Sequence, residues 1–274
     1  MTKKLAGAGT SNRYVAIIAE VFRRHYAAGT NVVRFARTEF VEIANKLGIE
    51  LPKNLGDAIY SFKYRADLPS SIAKTAPDGF EWILASAGRS IYEFRLVRPL
   101  DISPRKNFLA IKVPDATPEI INMYAKGDEQ SVLAKVRYNR LIDVFLGIVA
   151  LPLQSHLRTT VRKYGQIEID ELYVGVDKGG GHYIVPVQVK VGKDKHGRQQ
   201  TEQDAAYCEE KYPNLIRRLV SAQSLPGNVI AMFELALVDG EVKIVSEAQY
   251  KLVPAAAISD EDLVRYAQAE KSRR

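Results

Sequence analysis

Hydrophobic residues in the first third of the chain recur with helical spacing. Val15, Ile18, Ala19, Phe22 and Tyr26 fall at three- and four-residue intervals, so a helix is expected over 11–28, stopping at Gly29. A second helix is expected over 37–47, with Thr38 as N-cap, Phe40, Val41, Ala44 and Leu47 on one face, and Gly48 as its stop. A third starts near Asn54, just after Pro52, and turns Leu55, Ala58, Ile59 and Phe62 inward. The period then falls to two. Residues 80–84 and 91–97 read as a strand pair joined through 86–90. Pro99, Pro104, Pro114 and Pro118 mark the next stretch as a linker or extended arm. Helical spacing returns over 128–148, through Val132, Val136, Leu141, Phe145 and Ile148, and a further helix is expected over 152–163, carrying Leu153 and Leu157. Apolar strands at 167–176 and 183–191 flank a glycine-rich connection, 177–181. A polar helix at 199–210, strands at 228–238 and 241–247, and a charged helix after Ser259 complete the chain.

This order predicts an α/β (α+β) protein with a mixed sheet flanked by helices. Its expected parts are an N-terminal domain at 1–98, an arm at 99–127 and a C-terminal domain at 128–274. Three helices followed by a β-hairpin is the order of a winged helix, whose third helix enters the DNA major groove while the hairpin forms the wing. Lys53, Asn54, Lys63, Tyr64 and Arg65 flank that third helix and Arg89 lies on the wing, so Asn54, Lys63, Arg65 and Arg89 are candidate DNA contacts. Winged helices also serve as protein-interaction modules.

Composition narrows the classes. The chain has 274 residues, 46% of them hydrophobic and 26% charged, and a formal charge of +7 that hints at a polyanionic partner. No apolar run is long enough for a membrane span, and the first ten residues carry two lysines without an apolar stretch, so neither membrane nor secretory signal is expected. Cys208 is the sole cysteine, which excludes an internal disulfide and a cysteine zinc cluster and fits a cytoplasmic protein; it reads as an inert helix residue. Trp82 reads as packing.

The chemistry concentrates on two strands. Asp170 interrupts an apolar run, and a buried carboxylate is costly unless it is paired or holds a metal. On the next strand Val187, Val189 and Val191 share one face, leaving Gln188 and Lys190 on the other. Pro186 in the same run argues for an edge strand.

Asp170 followed by Gln188-Val189-Lys190 resembles the signature of the PD-(D/E)xK nuclease superfamily, in which an Asp on one strand precedes an acid-x-Lys on the next. The superfamily includes type II restriction endonucleases, RecB-type nucleases and archaeal Holliday-junction resolvases. Ile169 stands where the signature has proline, and Gln188 where Asp or Glu is usual. The resemblance covers about 128–250 and implies a restriction-endonuclease-like fold and Mg²⁺-dependent hydrolysis of DNA. It assigns Asp170, the Val189 carbonyl and Gln188 to the metal and Lys190 to the attacking water. Gln188 leaves the site one charge short, so a second acid is expected: Glu168, two positions from Asp170, or Glu171, brought in by a β-bulge where the apolar register changes. Gln203 and Tyr207 match the Q-x-x-x-Y pattern of RecB-type nucleases, on one helix face near the phosphates.

Further candidates flank this core. Gln154, His156 and Arg158 read as candidate DNA or proton-transfer groups, and Arg158, Arg162 and Lys163 as either a phosphate-contacting run or a solvated face. Residues 193–198 read as a basic loop. The expected function is an endodeoxyribonuclease cutting a specific site in double-stranded DNA, as a homodimer, in the manner of a type II restriction endonuclease. A structure-specific repair or recombination nuclease is the nearest alternative. A non-catalytic winged-helix regulator with a degenerate nuclease core is the alternative of a different class.

Overall fold

Two sheets organise the computed structural model, which describes residues 8–271 apart from 52–54, 65, 193 and 195. The chain divides into two compact units, 1–100 with 160–165, and 101–159 with 166–274.

In the first unit the order is α1 (Ala8–His25), β1 (Val32–Ala36), α2 (Arg37–Lys46), α3 (Leu55–Tyr64), a short α4 (Ser70–Ala73), β2 (Glu81–Gly88) and β3 (Ile91–Val97). The expected helices are present, with α1 ending at His25. β1 was not expected, because its five residues are too few to set a period. Its alternation is nonetheless clear: Val33 and Phe35 are buried, while Val32 and Arg34 face out. The strands form an antiparallel sheet in the order β1-β3-β2. Ile17, Ile18, Val21 and Phe22 of α1 pack with Phe40 and Ile43 of α2 and with Trp82, Leu84 and Phe94 of the sheet. Trp82 meets Phe22 edge-on at 5.1 Å and donates from its ring nitrogen to Thr75 Oγ1 at 2.9 Å, a packing role with its polar end satisfied.

The second unit is a mixed α+β structure. It starts within the segment expected as an arm, which supplies β4 (Ile111–Pro114) and α5 (Glu119–Tyr124). The helix expected over 128–148 is two: α6 (Glu129–Tyr138), capped by the Asp128 carboxylate on the Ser131 N–H, and α7 (Leu141–Leu146). Arg140 adopts a left-handed conformation between them, which the apolar spacing cannot reveal.

The helix expected over 152–163 is not formed; β5 (Val149–Val161) runs there instead. Leu153 and Leu157 imitate helical spacing, but the β-branched run Thr159-Thr160-Val161 favours extended backbone. As the last strand of its sheet, β5 tolerates Pro152.

Then follow β6 (Gly165–Val176), β7 (His182–Lys190), α8 (Arg198–Lys211), β8 (Ile216–Arg217), β9 (Leu219–Leu225), β10 (Val229–Val238), β11 (Glu241–Val253), a 3₁₀ turn at Ala255–Ala257 and α9 (Asp260–Lys271). The sheet order is β4-β11-β10-β9-β7-β6-β5, with β8 beside β7. β7 pairs antiparallel with β6 and parallel with β8 and β9. It is therefore an interior strand, contrary to the edge position that Pro186 suggested. Its pairing with β8 ends at Ile184 and that with β9 begins at Val187, so Pro186 falls in the gap, where a missing N–H removes no ladder bond. Val185, Val187 and Val189 pack with Val132, Val136, Leu141 and Ile142 of α6 and α7, while α8 contributes to the packing of β7, β9, β10 and β11.

Candidate functional site

The hairpin between β6 and β7 sets the geometry. Asp177 accepts from the N–H groups of Gly179 (2.8 Å) and Gly181 (2.9 Å) and from the Tyr183 hydroxyl (2.8 Å), and Gly180 supplies the positive φ of +81° that the turn requires. From this turn the ladder runs without a shift from Val176–His182 to Glu171–Val187. Beyond it, side chains take over. Asp170 Oδ2 accepts from the Val189 N–H at 2.7 Å, and Gln188 Nε2 donates to the Glu168 carbonyl at 3.2 Å. The N–H and C=O of one strand residue point to the same side, so the Val189 carbonyl also faces the opening beside Asp170.

Asp170, Gln188 and Lys190 are thus brought together, as their spacing implied. Asp170 is half-buried, Gln188 1% exposed and Lys190 9% exposed. Burial pushes the Asp170 carboxyl above the usual carboxylate range, and Glu168 adds to that rise; the Val189 N–H and the positive charge of Lys190 pull the other way. Glu129, at the first turn of α6, belongs to the same electrostatic neighbourhood: burial and then the charge of Asp170 push its carboxyl up, while Lys190 opposes. Nothing in the sequence distinguishes Glu129 from any acid beginning a helix.

The two candidate second acids separate. Glu168 is exposed and pairs with Arg158 at 3.2 Å, with His156 Nδ1 at 4.0 Å. Glu171 is fully buried on the face opposite Asp170, ion-paired with Arg137 and accepting from the Tyr173 hydroxyl at 2.7 Å. The bulge expected to re-aim it is absent from the β6–β7 ladder. Ile167, Ile169, Glu171 and Tyr173 all lie on one face, and the apolar register changes because Leu172, on the other face, is covered as well.

His156 and Arg158 stand on β5, a strand, together with Gln154. His156 has a φ of +49°, an uncommon conformation for a non-glycine residue within a strand. Arg162 and Lys163 lie in the turn between β5 and β6.

α8 is polar yet sunk against the sheet. Gln203 and Tyr207 are 4% and 5% exposed, and Tyr207 packs edge-on against Tyr212, so the matched pair is directed into the protein. Asp204, between them in sequence, is 2% exposed, and both its carboxylate oxygens accept from Gln188 Nε2 at 3.1 Å. Gln188 Oε1 accepts from Gln200 Nε2 at 3.3 Å. Ser221, in register with Gln188 on β9, has a buried hydroxyl without a hydrogen-bond partner among the described residues. Asp204 was missed because its burial depends on how α8 meets the sheet, which the polar sequence of that helix conceals. His196, ahead of α8, is buried and shares a 2.6 Å hydrogen bond with Thr201 Oγ1; burial pulls its pKa down to about 3. Cys208 is also buried, its thiol pushed up to about 12, as an inert residue would be.

In the first unit, Arg89 is exposed in the turn between β2 and β3. Lys63 donates to Ser86 Oγ at 2.8 Å, and burial lowers its ammonium to about 8. Asn54, Lys53 and Arg65 lie outside the described residues.

Among the described residues no three His, Cys, Asp or Glu side chains gather closely enough to form a metal cluster, and no helix is long and apolar enough to cross a membrane. The donors beside the opened strand ends are hard oxygens, the Asp170 carboxylate and the Val189 carbonyl, with Glu129 and Glu168 within electrostatic reach. Mg²⁺ takes one or two carboxylates and keeps several waters, so this donor chemistry fits it.

No family model matches the chain, and neither a curated protein nor a solved structure was found to match it.

Proposed function

We propose that this chain is a Mg²⁺-dependent endodeoxyribonuclease of the PD-(D/E)xK type, cutting a specific site in double-stranded DNA as a type II restriction endonuclease does. The observation that carries the reading is the parting of β6 and β7 just where Asp170 and Lys190 stand, with the Asp170 carboxylate bonded to the Val189 N–H. Asp170, the Val189 carbonyl and the side-chain oxygen of Gln188 would hold the metal. When bound, Mg²⁺ offsets charge on the phosphoryl oxygens. Lys190, an ammonium in a mostly buried setting, orients the attacking water and stabilises the charge that develops on the phosphate. Glu129 and Glu168 are the acids available to complete the shell, and Glu168 is held by Arg158 and faces solvent.

The first unit supports a DNA-reading role. Its order, helix-strand-helix-helix, a short fourth helix and then a strand pair, with the first strand on the edge of the hairpin sheet, resembles that of a winged helix, and Arg89 sits exposed at the hairpin tip. Cutting both strands of a site favours a homodimer.

The test is incubation of the wild-type protein with Mg²⁺ and a substrate panel: plasmid, linear duplex, four-way junction and flap. Discrete, mappable duplex ends are expected. Cutting confined to junctions or flaps would move the assignment to a repair or recombination nuclease, and DNA binding without any cutting would move it to a regulator with a degenerate core.

A further inference from the structure

Gln188 is an oddity of this site: an amide where an acid would supply charge. Its surroundings account for that. One N–H of its Nε2 goes to the Glu168 carbonyl at 3.2 Å, and the other is shared between the two oxygens of Asp204, each at 3.1 Å. All three partners are acceptors. A glutamate at position 188 would set its own oxygens against the Glu168 carbonyl and a second buried acid, in a place where Gln188 is 1% and Asp204 2% exposed and burial already pushes the Asp204 carboxyl well above the usual carboxylate range. The same contacts fix which end of the amide points inward. With Nε2 consumed, Oε1 is left as the acceptor end, and it accepts from Gln200 Nε2 at 3.3 Å.

We infer that Gln188 and Asp204 form an exchanged pair, in which the acid expected on β7 has moved to α8 and acts on the metal site by holding the Gln188 amide in one orientation. The inference rests on the nuclease reading for its metal and deepens it. Asp204 is a positioning residue, acting through Gln188. The pair predicts that acid and amide can trade places, since Gln188→Glu combined with Asp204→Asn would restore a donor facing an acceptor between the two elements. Asp204 also lies within the electrostatic reach of Asp170 and Lys190, which places the pair in the same site.

The test compares wild type, Asp204→Asn, Gln188→Glu and the double variant, each checked for folding by its melting temperature. The readouts are Mn²⁺ binding by calorimetry and plasmid cleavage. Asp204→Asn is expected to lose about 10- to 100-fold in Mn²⁺ affinity, the usual cost of removing an outer partner of a metal ligand, and Gln188→Glu is expected to lose affinity because its carboxylate is set against the Glu168 carbonyl and Asp204. The double variant is expected to bind more tightly than either single one. Loss of affinity in Asp204→Asn with recovery in the double supports the pair even if the wild type binds Mn²⁺ without cutting DNA, an outcome that would overturn the nuclease reading alone. Wild-type Mn²⁺ affinity in Asp204→Asn, with only a lowered melting temperature, would make Asp204 purely structural and overturn the inference. So would a double variant no better than the poorer single one. Absence of Mn²⁺ binding in the wild type would overturn both.

Discussion

Asp170 and Glu171 are adjacent carboxylates with opposite surroundings. One sits half-buried beside the parted strand ends; the other is sealed on the far face against Arg137 and Tyr173. Glu171 is therefore held in a buried ion pair away from the opening beside Asp170. Arg137→Ala leaves a fully buried carboxylate without its cation, and is expected to cost about 2–4 kcal/mol in denaturant unfolding, below the full penalty for a buried pair because Arg137 is itself partly exposed. Its effect on Mn²⁺ affinity should be small; a large loss of affinity with little change in stability would reverse the assignment. His196 carries a pH prediction. Its folded pKa of about 3 lies below the ordinary value of 6.5, so below pH 6.5 the unfolded chain binds a proton that the folded chain refuses. Stability is expected to fall as pH drops from about 6.5 towards 3, and His196→Gln should flatten that slope. An unchanged slope in the variant would place the acid sensitivity elsewhere.

At the scale of elements, local pattern carried as far as local physics does. The three longer helices of the first unit, the β6–β7 hairpin and the nearness of Asp170 to the Gln188–Lys190 stretch were legible, because apolar period and turn glycines act over a few residues, whereas the one-turn α4 was too short to show a period. β5 was not, since Leu153 and Leu157 satisfy a helical spacing that only the threonines contradict. β9 was missed because Val220-Ser221-Ala222-Gln223 owes its strand to burial between β7 and β10 rather than to its own composition. The central place of β7, the face of Glu171 and the contact between Asp204 and Gln188 depend on strand order and helix docking, which no short window encodes. The β5–β6 edge offers a direct check. A Cβ at Gly175 would come within 2.9 Å of the Val149 carbonyl and of Ile148 Cδ1. Gly175→Ala should destabilise by about 1–3 kcal/mol, because backbone must shift to admit the methyl. Unaltered stability would mean that β5 does not pack there as described.

At the scale of the whole molecule, the proposal that DNA is the partner draws on the formal charge of +7. If basic groups carry the contact, log affinity for duplex DNA should fall linearly with log salt, by about 0.9 per phosphate neutralised. Affinity indifferent to salt would argue against that partner. The nuclease claim itself turns on Lys190, which can be separated from DNA binding. The most direct measurement sets wild type beside Lys190→Met, following duplex binding in Ca²⁺ and plasmid cleavage in Mg²⁺. Equal binding is expected, with cleavage at least about 100-fold slower in the variant, as for loss of a group that stabilises developing charge. Cleavage at the wild-type rate, or a wild type that binds the plasmid and leaves it intact, would contradict the claim.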